Sequence, residues 1–510
     1  MKFGCTFCVL LSVVCVSYVI EAIKGNRFWK IRERVEEHRR KHADAVIAAR
    51  HRSSPVKTFF IEQPLDHFNA ISKGLGKTYK QRYYVNAEFW FGNKSPVFLF
   101  IGGEGTLTSR DVEIGEMYNL GKANKALLLG VEHRFYGASL NDDGLQLEEL
   151  QYLSSQQALA DLATFVHFIR SEYGIPESTP WICFGGSYPG ALSAWFRLKY
   201  PQLVAGAVAS SAPVRAVTNF EGYNDVVAKS LSNPVVGGSP ECLDAVRTAF
   251  SVIDSMIDNG KTDQLKEDFL SCNHLMMKED QVQFVTNLAG NIMGVVQYNN
   301  EIPGQNISHV CDVMLSASNP YSNLIKLNKE MLLESNETCV DNCFMNYTRT
   351  MSNTTVDRNA TGAGIRQWTF QTCSQFGYYQ TCDKNTSCPF SKLMSLDFSD
   401  LQICQKVFKI NEEDVFSNVQ FSNDYYGANH TAQSNIVFVN GNIDPWHYLS
   451  ILADQEMYRN VAVFIDGTAH CADLGSSKPT DPESLTDARM AIARYVTQFL
   501  DLAYASVSMH

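Results

Sequence analysis

The sequence predicts an α/β protein: a mainly parallel sheet with helices on both faces, interrupted once by a helical, cysteine-rich insertion. Three observations carry that prediction. Continuous apolar runs of strand length alternate with amphipathic segments of helix length from about residue 56 to Pro213. The rhythm stops between residues 220 and 425, where cysteines collect and no parallel strand is evident. It resumes at NIVFVNG near residue 435, and a long terminal helix pattern closes the chain.

Taken in order, YKQRYYVNAEFW alternates as a half-exposed antiparallel strand does. SPVFLFIGGEG and KALLLGVEHRFYG are continuous apolar runs, the mark of strands covered on both faces. SSQQALADLATFVHFIRSEYG has helical spacing, with Ser154 or Ser155 to cap it and Gly174 to end it. WICFGGS, the helix PGALSAWFRLKYP and the strand AGAVASSAP follow. After the insertion come NIVFVNG, a crossover helix over YLSILADQEMYRN, the strand VAVFIDG and the helix PESLTDARMAIARYVTQFLDLAY. The expected divisions are 1–22, 23–55, 56–215, 216–428 and 429–510: leader, basic arm, first sheet part, lid insertion and second sheet part. A chain of 510 residues exceeds one ordinary core, which fits a large domain with an insertion.

Residues 2 to 20 join one basic residue to an apolar run with Ala22 behind it, the form of a secretory signal peptide; a signal anchor is the alternative. Of 14 cysteines, Cys5, Cys8 and Cys15 would leave with the signal. The eleven that remain read as disulfides of an oxidising compartment, with pairing undetermined and at least one thiol left over. Cys183, inside a buried strand, is the candidate free thiol. N-x-S/T sequons fall at Asn93, Asn306, Asn336, Asn346, Asn353, Asn359, Asn385 and Asn429. They mark surface sites if the chain is secreted. Residues 1–55 carry a net charge of +6 and the remainder −17. The basic segment therefore reads as a pro-segment or arm held on an acidic body, with a solvated surface helix as the alternative. An acidic secreted body excludes nucleic acid as a partner. After signal removal no membrane association is expected, and a homodimer stays open. No cofactor is called for, and ligand spacing for a metal is absent.

Three of the apolar runs end in different reactive side chains: WICFGGS at Ser187, IVFVNGNID at Asp444 and VAVFIDGTAH at His470. That order is the chain order of an α/β-hydrolase triad. Gly185 and Gly186 suit a strained nucleophile turn, although Pro189 breaks the strict G-x-S-x-G pattern. Proline is tolerated in a first helical turn. Gly237-Gly238-Ser239 is a decoy that reads as a loop with no helix after it, and Asp466 and Asp473 are competing acids. Pro445 fixes the backbone of the Asp444 loop. The backbone N–H of Tyr188, with that of Gly103 or Glu104 in IGGEG, supplies candidate oxyanion donors. The expected chemistry is acyl transfer: His470 takes the Ser187 proton, Asp444 orients the ring, and water releases the acyl-enzyme.

The segments FIEQPLDHFN, FIGGEG, VEHRFYGAS, FGGSYPGALSAWFRLKYP, NGNIDPW and GTAHCADL together resemble the S28 serine carboxypeptidase-like peptidases. The stretch DPWHYLS with GTAHCADL is most similar to the thymus-specific branch of that family. The resemblance implies an α/β-hydrolase sheet with a helical lid, the triad Ser187, Asp444 and His470, and cleavage of short peptides after proline in the secreted, lysosomal or endosomal space. It also places Trp446 at an aromatic position of the proline pocket. Two rivals remain: a lipase or esterase, which calls for an apolar lid and an HGGG loop, and a catalytically silent recognition protein of the same fold.

Overall fold

The computed structural model describes residues 26–50, 54–68, 76–357, 364–383, 385–430, 432 and 434–507. The signal segment predicted over 1–22 lies outside the described residues. Eight strands form the main sheet: β1 (Lys57–Pro64), β2 (Thr78–Asn86), β3 (Val97–Ile101), β4 (Leu127–Val131), β5 (Trp181–Gly186), β6 (Gly206–Ser210), β9 (Ile436–Gly441) and β10 (Val461–Ile465). Their spatial order is β1-β2-β4-β3-β5-β6-β9-β10. The β1–β2 and β2–β4 pairs are antiparallel and every later pair is parallel. This is the α/β-hydrolase sheet.

The strands read as unbroken apolar runs because both faces are covered. Phe98, Leu128, Ile182, Phe184, Val208 and Val437 face a core closed by Ile492, Val496 and Phe499 of the terminal helix Glu483–Val507. Leu99, Cys183, Ala207 and Phe438 point the other way, into a core shared with the helices Ser155–Tyr173 and Tyr188–Lys199. The first of these is capped as the sequence suggested: the Ser154 hydroxyl accepts from Gln157 N, and Gly174 ends the helix in the left-handed region at φ 61°.

Between β6 and β9 the lid is built of helices from Glu221–Leu231 to Glu412–Tyr426. It contains two short strands that the sequence pattern did not reveal, β7 (Val217–Asn219) and β8 (Gly377–Tyr379), which pair in parallel. Disulfides Cys242–Cys311, Cys272–Cys339, Cys373–Cys404 and Cys382–Cys388 all lie in the lid. Cys183, Cys343 and Cys471 are free, and only Cys183 is fully buried.

Two local readings are corrected. The expected crossover helix over 448–460 is absent; short 3-10 turns, Pro445–Leu449 and Glu456–Tyr458, make the crossing. Polar side chains there compete for the backbone. The Asp454 carboxylate accepts from Ala462 N at 2.9 Å, and Gln455 Nε2 donates to Asn429 O at 2.7 Å. The Gly237-Gly238-Ser239 decoy does precede a helix, because Ser239 caps Pro240–Asp258 by accepting from Cys242 N at 3.2 Å. Ser-Pro-Glu is a helix-start signal.

The basic arm contains a helix, Arg27–Ala49, capped by the Asn26 side chain. Ile31, Val35 and Ala43 are buried. The helix lies on the lid helix Lys278–Gln297 where glycines allow close approach: a Cβ on Gly294 would stand 2.7 Å from Ile31 Cδ1. Ion pairs Arg34–Glu334, Arg39–Glu301, Arg27–Glu337 and Arg110–Asp44 tie it to the body.

Candidate active site

Ser187 stands between β5 and the helix Tyr188–Lys199. Its backbone is strained, at φ 65° and ψ −133°, and its N–H donates to Ser210 O on the next strand at 2.9 Å. A non-glycine residue at positive φ costs on the order of 1 kcal/mol or more, so the surrounding packing must enforce it. Gly185 lets strand and helix meet this closely, since a Cβ there would lie 2.3 Å from Pro189 O. Pro189 occupies the first helical turn, where its missing N–H leaves nothing unpaired. Its ring packs on Gly103, whose Cβ would come within 2.2 Å of Pro189 Cγ. The elbow thus forms with proline where glycine is usual, and the loop after β3 is pressed against it.

Asp444 follows β9, and His470 follows β10. His470 Nδ1 is 2.9 Å from Asp444 Oδ1, with the carboxylate fully buried and the imidazole 5 % exposed. Asp444 Oδ1 also accepts from Trp446 N at 3.0 Å. Burial opposes a charge on His470, yet the Asp444 carboxylate, helped by Cys471, outweighs it and raises the imidazole pKa. The backbone N–H of His470 donates to Gln297 O at 3.1 Å. The competing acids are engaged elsewhere: Asp466 accepts from Asn442, and Asp473 accepts from the Ser210 hydroxyl.

Ser187, Trp446 and His470 line one cavity of about 370 Å³. No hydrogen bond joins Ser187 and His470, a contact that such sites commonly tighten only around substrate. Tyr188, Gly103 and Glu104 line the same cavity, and their backbone N–H groups donate to no acceptor among the described residues. Trp446 is 7 % exposed and stands edge-on to Tyr378, with ring centroids 5.3 Å apart. Tyr378 and Trp368 extend this aromatic wall from the lid.

Two supports were not assigned from sequence. Gln297, at the end of its lid helix, accepts from Trp446 Nε1 at 2.9 Å and from the Tyr223 hydroxyl at 2.7 Å. His133 Nε2 lies 2.9 Å from the Tyr188 hydroxyl, which also accepts from Gln371 Nε2 at 3.1 Å. Burial lowers the His133 pKa to about 4, so the ring is neutral. The signal for the second lay in VEHRFYG, where three adjacent charged or titratable residues end an apolar strand. Glu132 there accepts from Ser139 Oγ at 2.7 Å, and Arg134 pairs with Asp161 at 2.6 Å. Gln297 had no local signal.

The sequon asparagines Asn93, Asn336, Asn353 and Asn385 are exposed, while Asn306, Asn346 and Asn429 are half-buried. Asn359 lies outside the described residues. No helix among the described residues is long and apolar enough to cross a membrane, and no group of His, Cys, Asp or Glu among them could hold a metal ion.

A serine at a strained elbow after β5 and a buried Asp–His pair after β9 and β10 of an α/β-hydrolase sheet have the arrangement of a serine-type hydrolase site. Comparison with known families makes the class a peptidase. The family model for serine carboxypeptidase S28 matches residues 63–492, and the chain belongs to that family. Its relatives include thymus-specific serine protease of Mus musculus, 39 % identical over 87 % of each chain, and that of Homo sapiens, 37 % identical over 88 % of each. Lysosomal Pro-X carboxypeptidase of Bos taurus is 27 % identical, covering 89 % of this chain and 91 % of that protein. Among solved structures, proline iminopeptidase of Mycobacterium smegmatis superposes with a TM-score of 0.37 at 10 % identity, covering 87 % of this chain and all of that one. At that score the likeness adds nothing to the strand order.

Proposed function

We propose that the chain is a secreted or lysosomal serine peptidase that cleaves short peptides after proline, through Ser187, His470 and Asp444. The observation that carries this reading is the 2.9 Å His470–Asp444 contact at the rim of the cavity that Ser187 lines. In the proposed mechanism Ser187 Oγ attacks the scissile carbonyl carbon as His470 Nε2 takes its proton. Asp444, bonded to Nδ1, fixes the tautomer and stabilises the imidazolium. His470 then protonates the leaving amine, and a water activated by the same ring releases the acyl group. The N–H groups of Tyr188 and of Gly103 or Glu104 stabilise the oxyanion, each contributing roughly 3–4 kcal/mol in comparable sites. The positive end of the Tyr188–Lys199 helix adds to that field.

The wall of Trp446, Trp368 and Tyr378 supports proline recognition, since a pyrrolidine ring buries its apolar faces against aromatic planes. The name of the bovine relative, a Pro-X carboxypeptidase, points the same way. Lumenal residence rests on the leader pattern, the sequons and four lid disulfides. The test compares kcat/KM for matched peptides with proline or alanine before the scissile bond. Proline should be preferred by tenfold or more (about 1.4 kcal/mol), and Trp446→Ala should erase most of that margin. Equal turnover of the two peptides contradicts proline specificity, and full activity in Ser187→Ala contradicts the mechanism.

A further inference from the structure

Among the described residues, every arginine that lines the Ser187 cavity, Arg32 and Arg39, belongs to the N-terminal helix, and no lysine lines it. The body supplies the opposite sign: Glu104, Asp111 and Asp400. Asp111 is occupied by the Thr108 backbone and hydroxyl, at 2.8 and 3.0 Å, and Asp400 by the Tyr347 hydroxyl at 3.1 Å. Glu104 is different. It is 7 % exposed, follows the glycine packed on Pro189, and has one ionic partner among the described residues, Arg32 Nη2 at 3.0 Å. Arg32 reaches it from outside the body, steadied by Glu36 at 3.0 Å and by the Trp29 ring at 5.1 Å.

A buried carboxylate whose only counter-charge arrives on a separate helix is costly to leave alone once that helix moves. Either water or a cation of similar reach then takes the place of the guanidinium. Resting on the serine-peptidase reading above, we propose that Glu104 is a cation subsite of the cleft. It takes the free α-ammonium of a short peptide in the place that Arg32 holds in the present form. The substrate then enters with its amino end in the cavity and its carboxyl end outward. Without the helix both arginines are gone, and the carboxylates of Glu104, Asp111 and Asp400 outnumber the one remaining cationic group, the Asp444-paired His470, so a terminal carboxylate is disfavoured. Arg32 is by the same argument a competitor for the subsite, so the N-terminal helix restrains the enzyme by occupying the place of its substrate's end.

The experiment uses the full chain as wild type, Glu104→Gln and Arg32→Gln. Matched proline-containing peptides are offered with the amino end free or acetylated and the carboxyl end free or amidated. Arg32→Gln should raise kcat/KM for free-amino peptides by roughly tenfold over wild type, and the acetylated series by much less. Glu104→Gln should bring the free-to-acetylated ratio close to one. An unchanged ratio in Glu104→Gln overturns the proposal, as does a preference for free carboxyl ends that Arg32→Gln abolishes, which would make Arg32 a carboxylate receptor. Should Glu104→Gln fail to fold, Arg32→Gln decides alone: no gain, or a loss, for free-amino peptides refutes the subsite. Fluorophosphonate labelling of the same samples separates the two readings. An unlabelled Ser187 in all forms removes the peptidase mechanism itself, whereas labelled protein with an unchanged ratio removes only the role of Glu104.

Discussion

Set beside the lid, the sheet positions its part of the site with backbone. Ser187, Asp444 and His470 each stand within a few residues of the end of β5, β9 or β10, and the strand register fixes them relative to one another. The lid reaches the same cavity through side-chain ends on elements far apart in sequence: Gln297, Tyr298, Trp368 and Tyr378. Its own cohesion depends on four disulfides, while no disulfide is found in the sheet part among the described residues. The contrast teaches that chemistry and access are held by different forces here. The proposed reactive groups rest on a hydrogen-bonded sheet buried on both faces, and the proposed substrate walls rest on crosslinks and a few polar contacts.

The largest expected effect strikes the sheet side. Asp444→Asn keeps the shape but presents an N–H or a neutral oxygen to His470 Nδ1, favouring the wrong tautomer. Steady-state kinetics should register a fall in kcat of roughly 10⁴-fold, with little change in melting temperature. The next strikes the lid. Replacing Cys272 and Cys339 together by serine opens a crosslink spanning 67 residues, which on loop-closure grounds removes about 4 kcal/mol. Denaturant titration should then unfold the lid ahead of the sheet; a single, unshifted transition would erase the contrast.

Gln297→Leu tests the seam between the two regions. It leaves Trp446 Nε1 and the Tyr223 hydroxyl buried without their acceptor, at about 1–3 kcal/mol each. It keeps the main-chain bond to His470. Turnover should fall about 10- to 100-fold, with KM rising more than kcat falls if the aromatic wall shifts. The smallest effect concerns pH. Burial raises the Glu116 pKa to about 7, against the pull of Arg489. A carboxyl whose folded pKa lies above its unfolded value binds protons more readily when folded. Its contribution to stability is full below the unfolded value, about 4.5, and is lost as pH rises through about 7. Glu116→Gln should therefore flatten the loss of stability between pH 5 and 7.5 by roughly 1–2 kcal/mol, measured by thermal unfolding at both pH values.

The same contrast explains what is legible in the sequence alone. The sheet was legible because a strand buried on both faces leaves an unbroken apolar run, and a reactive residue at its end is a local pattern; Ser187, Asp444 and His470 were all marked that way. The lid was not. Gln297 looks like any polar residue closing a helix, and only folding aims its amide at Trp446 and its carbonyl at His470. The lost crossover helix shows the limit within the sheet part: apolar spacing over 448–460 suggests a helix, but the Asp454 and Gln455 side chains bond the backbone of Ala462 and Asn429 instead. The basic arm announced its charge and its helicity, though nothing in its pattern pointed to Glu104 as the partner of Arg32.

The central claim, that His470 and Asp444 activate Ser187, is tested most directly by locating a fluorophosphonate adduct by peptide mass spectrometry in wild type and in His470→Ala, with equal amounts of folded protein. The account predicts a single modified serine at position 187, formed at least a hundredfold more slowly in the variant (about 2.7 kcal/mol). An adduct on another serine, or one at Ser187 whose rate ignores the loss of the imidazole, would contradict it.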